Sequence, residues 1–168
     1  MFKTIMVPLD GSPLAEHALP QAVELARKFG AELVLVRAFD PLSNASLVYG
    51  VGAAGPVAPY ALEETTKARK DEAEKYLEGM VAALRSEEVS VTSRVLEGPI
   101  VEELASASHE LPSALVVLTS RGRSGLKRVV LGSVTDALLR RVEVPVLVVP
   151  NRPDQNGRQT GPPERSNG

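Results

Sequence analysis

A chain of 168 residues with 43% apolar content has the length of one domain and enough apolar side chains to fill one core. Its 19 basic and 21 acidic residues leave a net charge of −2, which offers no overall attraction for nucleic acid or an anionic membrane as partner. Cysteine is absent, so disulfides, thiolate metal sites and cysteine nucleophiles are excluded by inventory.

The apolar run in "MFKTIMVPLD" is too short for a secretory signal, and no stretch has the length of a membrane span, so a cytoplasmic protein is expected. Apolar runs then alternate with amphipathic stretches, the pattern of βα units that wind a parallel sheet. "KTIMVPL" reads as the first strand, with Pro8 tolerated because the strand ends there. In "DGSPLAEHALPQAVELARKFG", Ser12 is placed to cap a helix and Pro13 to fill its first position. Pro20 predicts a kink in that helix and Gly30 its stop. "ELVLVRAF" is a second strand, apolar enough for burial on both faces.

Residues 41 to 60 carry Gly, Pro and small side chains without a period, and a long functional or mobile loop is expected there. A charged helix follows from about Ala61 to Arg85, with Ala73, Leu77, Met80, Val81 and Leu84 as its buried stripe. "VSVTSRVLE" alternates Val89, Val91 and Val95 with polar residues, which suits a half-exposed edge strand. "GPIVEELASASHE" makes a short helix and "SALVVLT" a fully apolar fourth strand. Ser133 is placed to cap a last helix running through Leu138 and Leu139 to Arg141. "VPVLVVP" is the fifth strand, and Pro145 argues that it lies at an edge. The folded domain is expected over residues 1 to 150; the stretch from 151 to 168 has no large apolar residue and is expected to be a disordered tail.

Right-handed crossovers, with the polar and Pro-bearing strands at the edges, favour the order 3-2-1-4-5: an open, twisted, five-stranded parallel sheet with helices on both faces, Rossmann-like α/β. Its switch point lies between strands 1 and 4, where ligands bind beyond the carboxyl ends. "PLDGS" there faces "TSRGRSGLKRVVLGSV". Gly122 and Gly132 permit close backbone approach, and Gly132-Ser133 opens a helix whose free N–H groups favour an anion such as phosphate. Leu126, Val129 and Val130 are expected to pin the intervening excursion to the core as a helical turn. Arg121, Arg123, Lys127 and Arg128 read either as phosphate neutralisers or as a solvated basic face.

"VPLDGS", "RGRSGLKRVVLGSV" and "VPVLVVP" together resemble the universal stress proteins, small α/β proteins of the adenine nucleotide alpha hydrolase-like type, over about Phe2 to Pro150. Nucleotide-binding members carry Gly-x-x-Gly, nine residues, then Gly followed by Ser or Thr. Here Gly122 fills the second glycine, residues 123 to 131 the nine, and Gly132-Ser133 the end, while Thr119 replaces the first glycine and offers a hydroxyl instead. The resemblance implies ATP as ligand, with Mg²⁺ or Mn²⁺ carried by its phosphates. It implies Pro8 walling the base, Asp10 and Ser12 at the adenosine end, and Ala38 contacting adenine through backbone. Thr119, Gly122, Arg123, Gly132, Ser133 and Val134 would line the phosphate side. For Asp10 the residues leave a second role open, a turn carboxylate bonding the N–H groups of Gly11 and Ser12.

Other chemistries lack their parts. No GxxxxGK[ST] loop occurs, and "GRSGL" fails the GxSxG elbow at Leu126. His17 and His109 lie on different predicted helices, so no catalytic residue is assigned and at most weak ATPase activity is expected. The implied function is a nucleotide-dependent sensor or regulator in the stress response, acting through a protein partner. The alternatives are a slow ATP hydrolase or nucleotidyl-transfer enzyme in the same pocket, and a dimeric interaction module that no longer binds nucleotide. An apolar edge strand invites pairing, so a homodimer through strand 5, residues 144 to 150, is expected.

Overall fold

The computed structural model describes residues 1–42, 59–120 and 132–151. Residues 43 to 58 of the loop expected over 41 to 60, residues 121 to 131 of the glycine-serine stretch with Gly122 and Arg123, and the tail from 152 lie outside the described residues. In chain order the elements are β1 (Thr4–Pro8), α1 (Pro13–Glu16), α2 (Leu19–Phe29), β2 (Glu32–Phe39) and α3 (Pro59–Ala83), then a 3-10 turn over Arg85–Glu87. There follow β3 (Val91–Glu97), α4 (Ile100–Glu110), β4 (Ala114–Ser120), α5 (Ser133–Leu139) and β5 (Val146–Pro150). The five strands form one parallel sheet in the order β3-β2-β1-β4-β5, as the edge argument expects.

Strand alternation divides the apolar residues into two cores. Ile5, Val7, Leu33, Leu35, Leu115 and Val117 face α2 and α3, where Ala22, Val23, Leu77 and Met80 meet them. Met6, Val34, Val36, Val116 and Leu118 face the other way, onto Leu104 and Ala105 of α4 and Leu138 of α5. The central strands are therefore buried on both sides, while β3 and β5 keep exposed positions along their length.

Local geometry departs from expectation at four places. The helix expected to kink at Pro20 is instead two helices, because α1 ends at Glu16 and Pro20 sits in the first turn of α2, where its missing N–H costs nothing. Helix α3 starts at Pro59, ahead of Ala61, and stops at Ala83. The third strand begins at Val91 and the fifth at Val146, so Pro145 lies just outside the ladder, with its carbonyl accepting from the Val116 N–H at 3.0 Å. Ser133 is the first helical residue of α5, not its cap; Gly132 holds the cap position and no side chain caps it.

Candidate functional site

The sheet opens at its switch point because one strand runs out of donors. Strand β1 pairs with β2 as far as Pro8 opposite Val36, but with β4 only from Thr4 to Met6, opposite Ala114 to Val116. The Leu9 N–H donates to the Val36 carbonyl at 2.8 Å, so the strand's alternation turns the nitrogen of Pro8 toward β4. Proline has no hydrogen to give there. The two strands part, and β4 continues alongside β5 to Ser120 opposite Pro150.

The gap is a crevice of about 170 Å³. Pro8, Leu9, Asp10 and Ser12 form one wall, Leu118 and Thr119 the other, and Val36 and Ala38 lie behind. Ile100 and Leu104 of α4 close one side, and Gly132 to Thr135 with Leu138 border the rest. All eight described residues of the expected binding set therefore meet here: Pro8, Asp10, Ser12, Ala38, Thr119, Gly132, Ser133 and Val134. Asp10 is the only charged side chain among the described lining residues.

Each wall is set by local chemistry. Ser12 caps α1 as expected, its hydroxyl accepting from the Ala15 N–H at 3.2 Å. Asp10 Oδ1 accepts from the Ser12 N–H at 2.9 Å, which gives the carboxylate a turn role toward Ser12, one of the two N–H groups expected. Ala38 sits two residues beyond Val36, the last partner of β1, while its other edge still pairs with β3 opposite Leu96. By alternation its peptide groups point into the space that β1 has left.

At the far wall Gly132 has φ −68° and ψ 156°, an extended conformation open to any residue, so the glycine there provides room and not a special dihedral. Thr135 Oγ1 donates to the Thr119 carbonyl at 3.4 Å and ties α5 to the end of β4. Sequence reasoning missed Thr135, and it read Ile100 and Leu104 only as part of a short helix. Their i, i+4 spacing was visible, but a core stripe and a site wall share that signal.

The histidines stay outside the crevice. His17 Nδ1 meets Asn151 Oδ1 at 3.0 Å, joining the end of α1 to the end of β5, and His109 Nε2 accepts from the Glu143 N–H at 3.1 Å. Among the described residues no three His, Cys, Asp or Glu side chains converge to hold a metal ion, and no helix is long and apolar enough to cross a membrane. A divalent ion at this site would need ligand phosphates for most of its coordination.

Comparison with known proteins gives these features a family. The family model described as the universal stress protein family matches residues 1–150. The universal stress protein YxiE of Bacillus subtilis is 30% identical over 150 residues, covering 89% of this chain and 99% of that protein. A solved structure from the same family in Burkholderia pseudomallei is 30% identical, with a TM-score of 0.63 over 89% of this chain and 96% of that one. A family member from Arabidopsis thaliana with AMP bound shares the fold at a TM-score of 0.60 and 14% identity, covering 95% and 97% of the two chains.

Proposed function

The chain belongs to the universal stress protein family, and from that premise we propose that it binds an adenine nucleotide, ATP in the cell, in the crevice between β1 and β4. The observation that carries this reading is the convergence of the eight described residues of the expected binding set on one gap at the switch point, where parallel sheets hold nucleotides. The AMP on the Arabidopsis relative supports it. A planar base fits between Pro8 and the apolar side chains of Val36 and Leu118, with the peptide groups of Ala38 available to its edge. Asp10 offers a carboxylate acceptor to ribose hydroxyls. The phosphates then run toward Gly132, Ser133 and Val134, with Thr119 beside them, Gly122 and Arg123 completing the set, and Mg²⁺ or Mn²⁺ entering as their counter-ion.

Occupancy, and not turnover, is the proposed output: a nucleotide-dependent sensor in the stress response that acts on a protein partner from the cytoplasm. Residues 1 to 150 form the domain in this reading. Mass spectrometry of nucleotide released from freshly purified protein tests it, together with calorimetric titration by ATP, ADP and AMP. Bound adenine nucleotide that survives incubation with Mg²⁺ is expected. ATP converted to ADP over that incubation would make the protein a slow hydrolase, and neither bound nucleotide nor heat of binding would leave a dimeric module without a ligand.

The proposed assembly is a homodimer through β5. This strand pairs with β4 on one side only, and Leu147 is 38% exposed on it. An uncovered apolar edge of that kind is stabilised by a second copy. Changing Val146 and Val148 to lysine is expected to give a monomer in sedimentation experiments; an unchanged dimer would place the interface elsewhere.

A further inference from the structure

Arg37 interrupts the apolar run that follows Glu32 in β2, with only 17% of its side chain exposed. Val36 and Ala38 turn toward the crevice, so Arg37 between them turns to the opposite face, under the β1–α1 turn and against α3. A Cβ added to Gly11 would lie 3.5 Å from Cζ, Nη1 and Nη2 of Arg37 alike, which places the flat face of the guanidinium against that glycine. Arg37 Nη2 donates to Glu72 Oε1 at 2.9 Å, and its Cζ stands 5.1 Å from the centre of the Tyr76 ring.

Tyr76 continues the chain of contacts, its hydroxyl donating at 2.9 Å to Glu16 Oε1, a buried carboxylate at the end of α1. Burial and the Glu16 carboxylate push the Tyr76 hydroxyl above its usual value, so it stays a donor. Arg69 Nη1 donates to the Asp40 carbonyl at 2.9 Å. Arg69, Glu72 and Tyr76 thus lie at i, i+3 and i+7 on one stripe of α3, fastened to the end of β2 and to α1.

We infer that Arg37 is a positioning residue for the nucleotide site, holding the Asp10–Ser12 turn through Gly11 and coupling that turn to α3. The inference rests on the nucleotide reading for its functional consequence and on geometry alone for its structural one. The turn that carries Asp10 and Ser12 is supported from below by a guanidinium, and the guanidinium is held in its place by Glu72 and Tyr76. A shift of α3 along its axis moves the support, and with it the carboxylate at the crevice mouth.

The test is Arg37→Met, which keeps an unbranched stem and removes the planar cation, beside Arg27→Met, which breaks the exposed ion pair with Glu87 away from the crevice. Amide order parameters at Gly11 and Ser12 are expected to fall in Arg37→Met, and AMP affinity to drop about tenfold, the loss of one well-placed contact. Arg27→Met should change neither, and Arg37→Lys should restore little, since it returns the charge without the flat face. Parent-like order parameters in Arg37→Met overturn the inference. So does a mobile turn that binds AMP as the parent does. A parent that binds no AMP refutes the nucleotide reading instead, and the order parameters still decide the positioning role. Glu72→Gln, at an exposed side chain, carries the same measurements should Arg37→Met fail to fold.

Discussion

The dipeptide Gly-Ser brings a serine to the crevice twice, as Gly11-Ser12 before α1 and as Gly132-Ser133 at α5, and the two copies differ in conformation. In the first, Gly11 has φ +86°, Ser12 caps the helix, Asp10 accepts the Ser12 N–H, and Pro13 brings no N–H of its own. In that turn the Ser12 and Ala15 N–H groups are both bonded to its own side chains, and Arg37 lies against Gly11. In the second, Gly132 has an ordinary dihedral, no side chain caps the helix, and Ser133 is exposed in the first helical position. Identical residues therefore build one wall that is capped and hydrogen-bonded within itself and one that, in the proposed function, receives phosphate. What separates them is the conformation of the glycine and the place of the serine relative to the helix start.

Four substitutions bear on that contrast. Gly132→Val should have the largest effect: its φ accepts valine, so the fold persists, while the branched side chain blocks the approach of phosphate. Calorimetry is expected to show affinity for ATP and ADP falling roughly ten- to a hundredfold, the equivalent of one lost charge-assisted contact. Parent-like affinity would erase the receiving role. Gly11→Ala comes next and should act on stability, costing about 1–2 kcal/mol in denaturant unfolding from the left-handed dihedral, because its new Cβ meets Arg37 only at ordinary contact distance. A neutral result would show that the turn relaxes. The smallest pair is the sharpest. Ser12→Ala should destabilise by about 1 kcal/mol through the lost cap, whereas Ser133→Ala should stay within about 0.5 kcal/mol. Equal costs would mean that both serines cap.

How much of this was legible depended on whether the controlling interaction was local. Strand order followed from features that each strand carries itself, the polar alternation of Val91 to Glu97 and the proline at 145, and the structure has that order. The cap at Ser12 was equally local, since the sequence Ser-Pro with a small residue at 15 contains both partners. The cap at Ser133 was misread because the position of the helix start depends on how the chain returns from residue 131, which no neighbouring residue states. Pro20 was visible as a breaker, but the short helix ahead of it could not be separated from one kinked helix by periodicity. Arg37 was passed over inside an apolar run. A lone cation in a strand buried on both faces requires partners, and that requirement was the available signal for Glu72 and Tyr76.

The missing hydrogen on Pro8 bears on how the crevice can be reshaped. A cavity sculpted by bulky side chains closes or collapses when those side chains change. This one lies at a fork in the hydrogen-bond ladder, where a tertiary amide in β1 offers no rung to β4. Of its apolar lining, Val36, Leu104 and Leu118 also belong to the buried core, so half-buried Ile100 is the position where size and shape change with least disturbance of the packing. The same reasoning gives Pro8 the character of a wedge: an alanine there would supply the absent rung and invite the two strands to close.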